Sequence, residues 1–170
     1  MKRILLTVLL VLVLSLALAV PAMAATTADV DVTATPAYVT ISCDQSVYDF
    51  GVVAESATPS TTTSWATITN GSTVQTDQTI GVTTATWAGG VTWTHAEDAV
   101  PGANTAGLKA NRGGTWGVSD IAIKNSSPNY IYENCPLGTG YSFGLKLWTP
   151  TSFTDGVEKS ITVRVTAAAG

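Results

Sequence analysis

The tightest constraint on the fold lies near the C-terminus, where Ile161, Val163 and Val165 alternate with Thr162, Arg164 and Thr166. A period of two puts the apolar side chains on one face of an extended strand and the polar ones on the other. Phe143, Leu145 and Leu147 alternate with Gly144 and Lys146 in the same way. With the turn signal Asp155-Gly156 between the two runs, the pattern predicts an antiparallel hairpin. The chain beyond residue 25 agrees with a β reading. Thr, Val, Ser, Ala and Gly dominate it, and runs of Ala, Leu, Glu and Lys that favour helix are missing.

Further strands are predicted over Asp29 to Ala34, Tyr38 to Ser42, Ser64 to Asn70 and Val74 to Thr84. Asn70-Gly71 is a turn signal, because both residues tolerate positive φ. Gly89-Gly90 interrupts Ala85 to Trp93 and predicts a hairpin that brings Trp87 and Trp93 together. Glu97 to Gly117, rich in Gly, Ala and Asn, reads as a long surface loop. Short strands with frequent turns predict an all-β protein, a β-sandwich of two antiparallel sheets formed by residues 25 to 170 as one domain.

Ahead of that domain, Lys2 and Arg3 precede an apolar run from Ile4 to Val20 that closes on Pro21-Ala22-Met23-Ala24. A basic start, an apolar middle and small residues at the end are the parts of a secretory signal peptide, here residues 1 to 24 as an N-terminal signal helix. A retained membrane anchor is the alternative; after cleavage no membrane span is expected. The expected location is secreted, extracellular or at the cell surface. Loss of Lys2 and Arg3 leaves six basic side chains against twelve acidic ones, 6 − 12 = −6, without a basic cluster. Nucleic-acid binding, which needs clustered Lys and Arg to neutralise phosphate, is therefore not expected.

Cys43 and Cys135 are an even pair in a chain expected to be exported, and predict a disulfide; two free thiols are the alternative. With His95 the single histidine and no Cys-x-x-Cys, neither a zinc site nor any other metal or cofactor site is expected. Asp29 and Asp31 share a strand face, which suits a solvated edge better than a calcium site. Asp49-Phe50-Gly51 lacks every other part of a kinase signature and reads as a strand whose Phe50 enters the core and whose Gly51 turns the chain. No serine elbow or zinc-protease motif is present, and no catalytic residue is assigned.

The aromatic residues admit two readings. Trp87, Trp93, Trp116, Trp148, Tyr130 and Tyr132 would make a platform for stacking sugar rings, or Trp65 and Trp87 belong to the core with the others at strand ends and subunit contacts. Asn70-Gly71-Ser72 and Asn125-Ser126-Ser127 fit the glycosylation acceptor pattern at Asn70 and Asn125.

Tyr48-Asp49-Phe50-Gly51-Val52-Val53, followed by Ala66-Thr67-Ile68-Thr69-Asn70-Gly71-Ser72, resembles the opening of immunoglobulin-like β-sandwich domains of secreted and surface proteins. Leu145 to Pro150, leading into Ile161 to Ala167, resembles the last hairpin of exported fibre and surface-layer subunits of prokaryotes. The resemblance implies a non-catalytic structural subunit of an extracellular filament, pilus or surface layer, with copies of itself as partners. Residues 25 to 42 would be the exchangeable N-terminal strand. The alternative is a secreted carbohydrate-binding module that takes polysaccharide on its exposed Trp and Tyr.

Overall fold

The structure is a computed structural model in which Asp31 and residues 33–170 are described. The leader, residues 1 to 24, and Asp29, Val30 and Val32 of the strand expected from Asp29 lie outside the described residues. The chain divides into two compact units, Met1–Thr35 and Pro36–Gly170. In the first, the described residues have no regular secondary structure. The second is all-β, with no helix among the described residues.

Its strands are β1 (Ile41–Cys43), β2 (Ala66–Asn70), β3 (Thr76–Val82), β4 (Thr86–Trp87), β5 (Trp93–Ala96), β6 (Thr105–Asn111), β7 (Asp120–Ala122), β8 (Asn129–Cys135), β9 (Gly140–Trp148) and β10 (Val163–Ala169). Seven form one sheet in the order β1-β2-β9-β6-β5-β4, with β7 beside the second half of β6; β10-β3-β8 form the other. One core joins the two sheets. Ala66, Ile68, Leu108, Phe143, Leu145 and Leu147 enter it from the larger sheet, and Ile80, Val82 and Ile131 from the smaller. The alternating burial of β2, β3 and β9 is the physical result of their period-two patterns. Phe50 and Trp65 pack against this core, and Gly51 takes a positive φ of 67°.

The expected hairpin of the two C-terminal runs does not form: β9 pairs with β2 and β6, while β10 pairs along its length with β3 in the other sheet. The connection between them is the reason. Thr151 N donates to Gly102 O, Ser152 O accepts from Asn104 N, and Ser160 exchanges bonds with Ala88, so the chain is carried from one sheet to the other. Alternation reports which face is buried but not which strand is the neighbour.

The sheets are also not wholly antiparallel, because β5 and β6 run parallel. Parallel neighbours usually need a crossover of a dozen or more residues. Here residues 97–104 fold back and forward again, with Ala99 and Asn104 at positive φ of 58° and 49° and a Gly102–Thr105 bridge. Gly107 admits this loop, since a Cβ there would stand 2.5 Å from Ala99 Cα. The predicted surface loop Glu97 to Gly117 is thus corrected: β6 lies within it and is central to the larger sheet. Its small residues have low strand propensity, and burial between β9 and β5 overrides that preference.

The hairpin at Gly89-Gly90 forms as expected, with Trp87 opposite Trp93. Both glycines have positive φ, and a Cβ on either would strike the 155–159 loop. That loop is held by the Lys159–Asp155 ion pair and by Val91 N donating to Asp155 Oδ2. Ahead of β2, residues 57–61 run along the second half of β9: Thr61 N donates to Leu145 O, Leu147 N to Pro59 O and Thr149 N to Ala57 O. Pro59 faces β9 in this pairing and has no N–H to return to Leu147 O, so one bond of the ladder is missing there.

Candidate functional surfaces

Two surfaces stand out, a strand edge and a sheet face. The edge belongs to β10. Thr83 N donates to Thr162 O and Gly170 N to Gln75 O, which fixes the phase of the antiparallel ladder. Arg164, Thr166 and Ala168 therefore exchange bonds with β3, and Val163, Val165, Ala167 and Ala169 aim N–H and C=O away from the sheet. Among the described residues nothing pairs with that side.

The other terminal strands are blunted. β1, β4 and β7 have three, two and three residues. β8 carries register irregularities against β3 and a left-handed Asn134, and Arg112 donates to its Tyr130 carbonyl. Short length, bulges and charge are the usual protections against edge-to-edge pairing. β10 has seven residues, one charge and no proline.

The face is the outer side of the larger sheet. Leu108 and Leu147 point into the core, so Lys109 and Lys146, directly opposite each other on β6 and β9, stand on the far side. Trp148 Cα is two residues beyond Lys146 and its ring lies beside both ammonium groups, 4.7 Å from Lys109 Nζ and 4.8 Å from Lys146 Nζ. Trp116 completes the group, with Lys146 Nζ 5.8 Å from its ring and its Nε1 donating to Thr61 O. All four side chains are partly exposed.

The six aromatic residues of the expected platform therefore do not gather on one surface. Trp87 and Trp93 are buried in the core, edge to face at 6.2 Å. Tyr130 is exposed on β8, and Tyr132, half-buried, stacks with Tyr141 at 4.6 Å. Only Trp116 and Trp148 share the lysine face.

The Cys43–Cys135 bond expected from the even count is not made, and both cysteines are free. Cys43 is exposed on β1, whereas Cys135 is fully buried at the end of β8 in the other sheet. Burial pushes the Cys135 thiol up, and Asp77 adds to the rise. Asn70 is also fully buried; its Nδ2 donates to Val74 O, Cys135 O and Pro136 O, and its Oδ1 accepts from Ser72 N. In the folded chain that nitrogen is committed, which removes it as a glycan acceptor. Asn125 is partly exposed, and its N–H donates to the Glu97 carboxylate.

Part of the expected exchange strand is engaged within its own chain. Thr73 N donates to Tyr38 O, Gly71 N to Thr40 O, and β1 pairs with β2. His95 is buried, with Nε2 at 2.7 Å from Ile123 O. Among the described residues no three His, Cys, Asp or Glu cluster as a metal site would require.

Sequence reasoning missed the lysines. The available signal was Leu108-Lys109-Ala110 alternation inside a segment whose glycine and alanine content favoured a loop. Known protein families, curated proteins and solved structures offer no match to this chain.

Proposed function

We propose that this chain is an exported, non-catalytic structural subunit, an immunoglobulin-like β-sandwich that assembles with copies of itself into an extracellular filament, pilus or surface layer. The observation that carries the reading is the side of β10 left unpaired among the described residues, a regular row of backbone donors and acceptors where the other terminal strands are blunted. A strand from another copy would add there by main-chain hydrogen bonds. Residues 25 to 35, with Val30 and Val32 alternating against Asp29 and Asp31, are the segment of suitable pattern. Strand to edge is a head-to-tail contact between unlike surfaces, which extends into an open filament when it does not close into a ring. Burial of His95 against a backbone carbonyl supports a non-catalytic role, since a general base must reach its substrate.

Electron microscopy and sedimentation velocity of purified residues 25 to 170 test the reading. Concentration-dependent oligomers and fibres are expected. A species that stays monomeric at high concentration, with no fibres or lattice on the producing cells, would overturn it.

A further inference from the structure

We propose that the outer face of the larger sheet is a binding site for an acidic polysaccharide, in which Lys109 and Lys146 hold the carboxylate of a uronate-type sugar and Trp148 and Trp116 flank its ring. This inference uses neither the β10 edge nor the assembly it serves.

Lys109 and Lys146 stand in an arrangement that stability alone disfavours. Like charges directly opposite on neighbouring strands repel, and Lys109 and Lys146 are direct partners in the β6–β9 ladder. The one ion pair among the described residues is Lys159–Asp155, so neither ammonium has a carboxylate partner. The nearest acid in the ladder, Asp120 on β7, is occupied: its Oδ1 accepts from Asn111 Nδ2 and from Gly117 N. In a chain of net charge −4 there are acids enough to neutralise a structural lysine pair, yet among the described residues none pairs with it.

What surrounds the pair instead is aromatic. The Trp148 ring lies within 5 Å of both ammonium groups, and the Trp116 ring is 5.8 Å from Lys146 Nζ. Cation–π attraction offsets the repulsion and restrains the two long side chains, but it leaves their charge uncompensated and their N–H donors free. Departures from local consistency of this kind are expected at functional sites.

The ligand follows from the chemistry. Two ammonium groups side by side call for an anionic acceptor, and indole rims offer apolar contact to the C–H face of a pyranose. A carboxylated sugar supplies both within one residue. A repeating polymer of such sugars would present one carboxylate after another to the pair.

The experiment is affinity electrophoresis and titration calorimetry of the full chain with polygalacturonate, and with dextran as a neutral polymer. Binding to polygalacturonate that weakens as salt rises, with no retention by dextran, is expected. Lys109→Gln/Lys146→Gln and Trp148→Ala should each weaken it at least tenfold. Lys124→Gln/Arg164→Gln, with the same charge change elsewhere, should leave it unchanged. Thermal melts accompany every variant; if Trp148→Ala does not fold, the lysine pair decides, because its ammonium groups carry no packing in the core. No binding, equal retention by dextran, equal loss in the charge-matched control, or full binding by the lysine variant would each overturn the proposal. So would a lysine variant that loses self-association while its polygalacturonate binding is unchanged, since the face would then belong to a contact between copies.

Discussion

Tyr132 on β8 donates its phenolic hydrogen bond to the main-chain carbonyl of Ser142 on β9, joining the smaller sheet to the larger. Burial pushes this phenol up to about 12 from an ordinary 10.0; Cys135 and Tyr141 add to the rise and Arg112 opposes it. The folded state therefore keeps the proton through a range in which the unfolded chain loses it. Stability from this group is intact below about pH 10 and falls as pH rises toward 12. Tyr132→Phe is expected to cost about 1 kcal/mol near neutral pH and to remove this part of the alkaline loss. Urea unfolding of both proteins at about pH 8 and about pH 11 checks both effects.

The two thiols should react as different species. Cys43 is exposed and Cys135 buried, so a thiol reagent is expected to label one cysteine per native chain and two in denaturant. Intact mass after labelling reads the count directly, and no labelling in denaturant would mean that the two are bonded.

Asn70 ties the β2 end to residues 74, 135 and 136 through one amide. Asn70→Ala strands those carbonyls in the interior, and a loss of about 3 kcal/mol is expected from equilibrium unfolding. Peptide mapping from a glycosylating host should find Asn70 unmodified.

Gln78 presents the opposite case. It is fully buried on the inner face of β3, and among the described residues neither Nε2 nor Oε1 has a partner, nor does the neighbouring Thr76 Oγ1. Gln78→Met keeps the length and removes the unsatisfied amide, so a gain of about 1 kcal/mol is expected by chemical denaturation.

Ala167→Pro separates assembly from folding. The Ala167 N–H points away from β3, so proline there removes no bond of the β10–β3 ladder while it breaks the row offered to an incoming strand. Sedimentation is expected to show monomer with a melting temperature near that of the parent. Thr166→Pro, which does remove a ladder bond, should lower the melting temperature.

These residues show how far the sequence could be read. The strands β2, β3 and β9 and the Trp87–Trp93 hairpin were legible because alternation and glycine turns act locally. Partnership was not. Nothing near Val163 or Leu145 says that one belongs with Ile80's strand and the other with Ala110's, because that depends on how the 149–162 connection docks. β6 was hidden for a related reason: Gly107 and Ala110 suit a strand only once Ala99 and β9 crowd them. The lysine face was hidden with it, since opposition of Lys109 and Lys146 is a property of register.

The position of β9 has a consequence in time. It alone joins β1-β2 to β6 and its neighbours, and the smaller sheet likewise waits for β10 to flank β3. A chain emerging from its N-terminus holds two incomplete halves of the larger sheet until β9 arrives. Such distant pairings favour slow folding, on the order of milliseconds to seconds. β9 and β10 are thus the clasp of the domain, and removal of both strands would release the two sheets together.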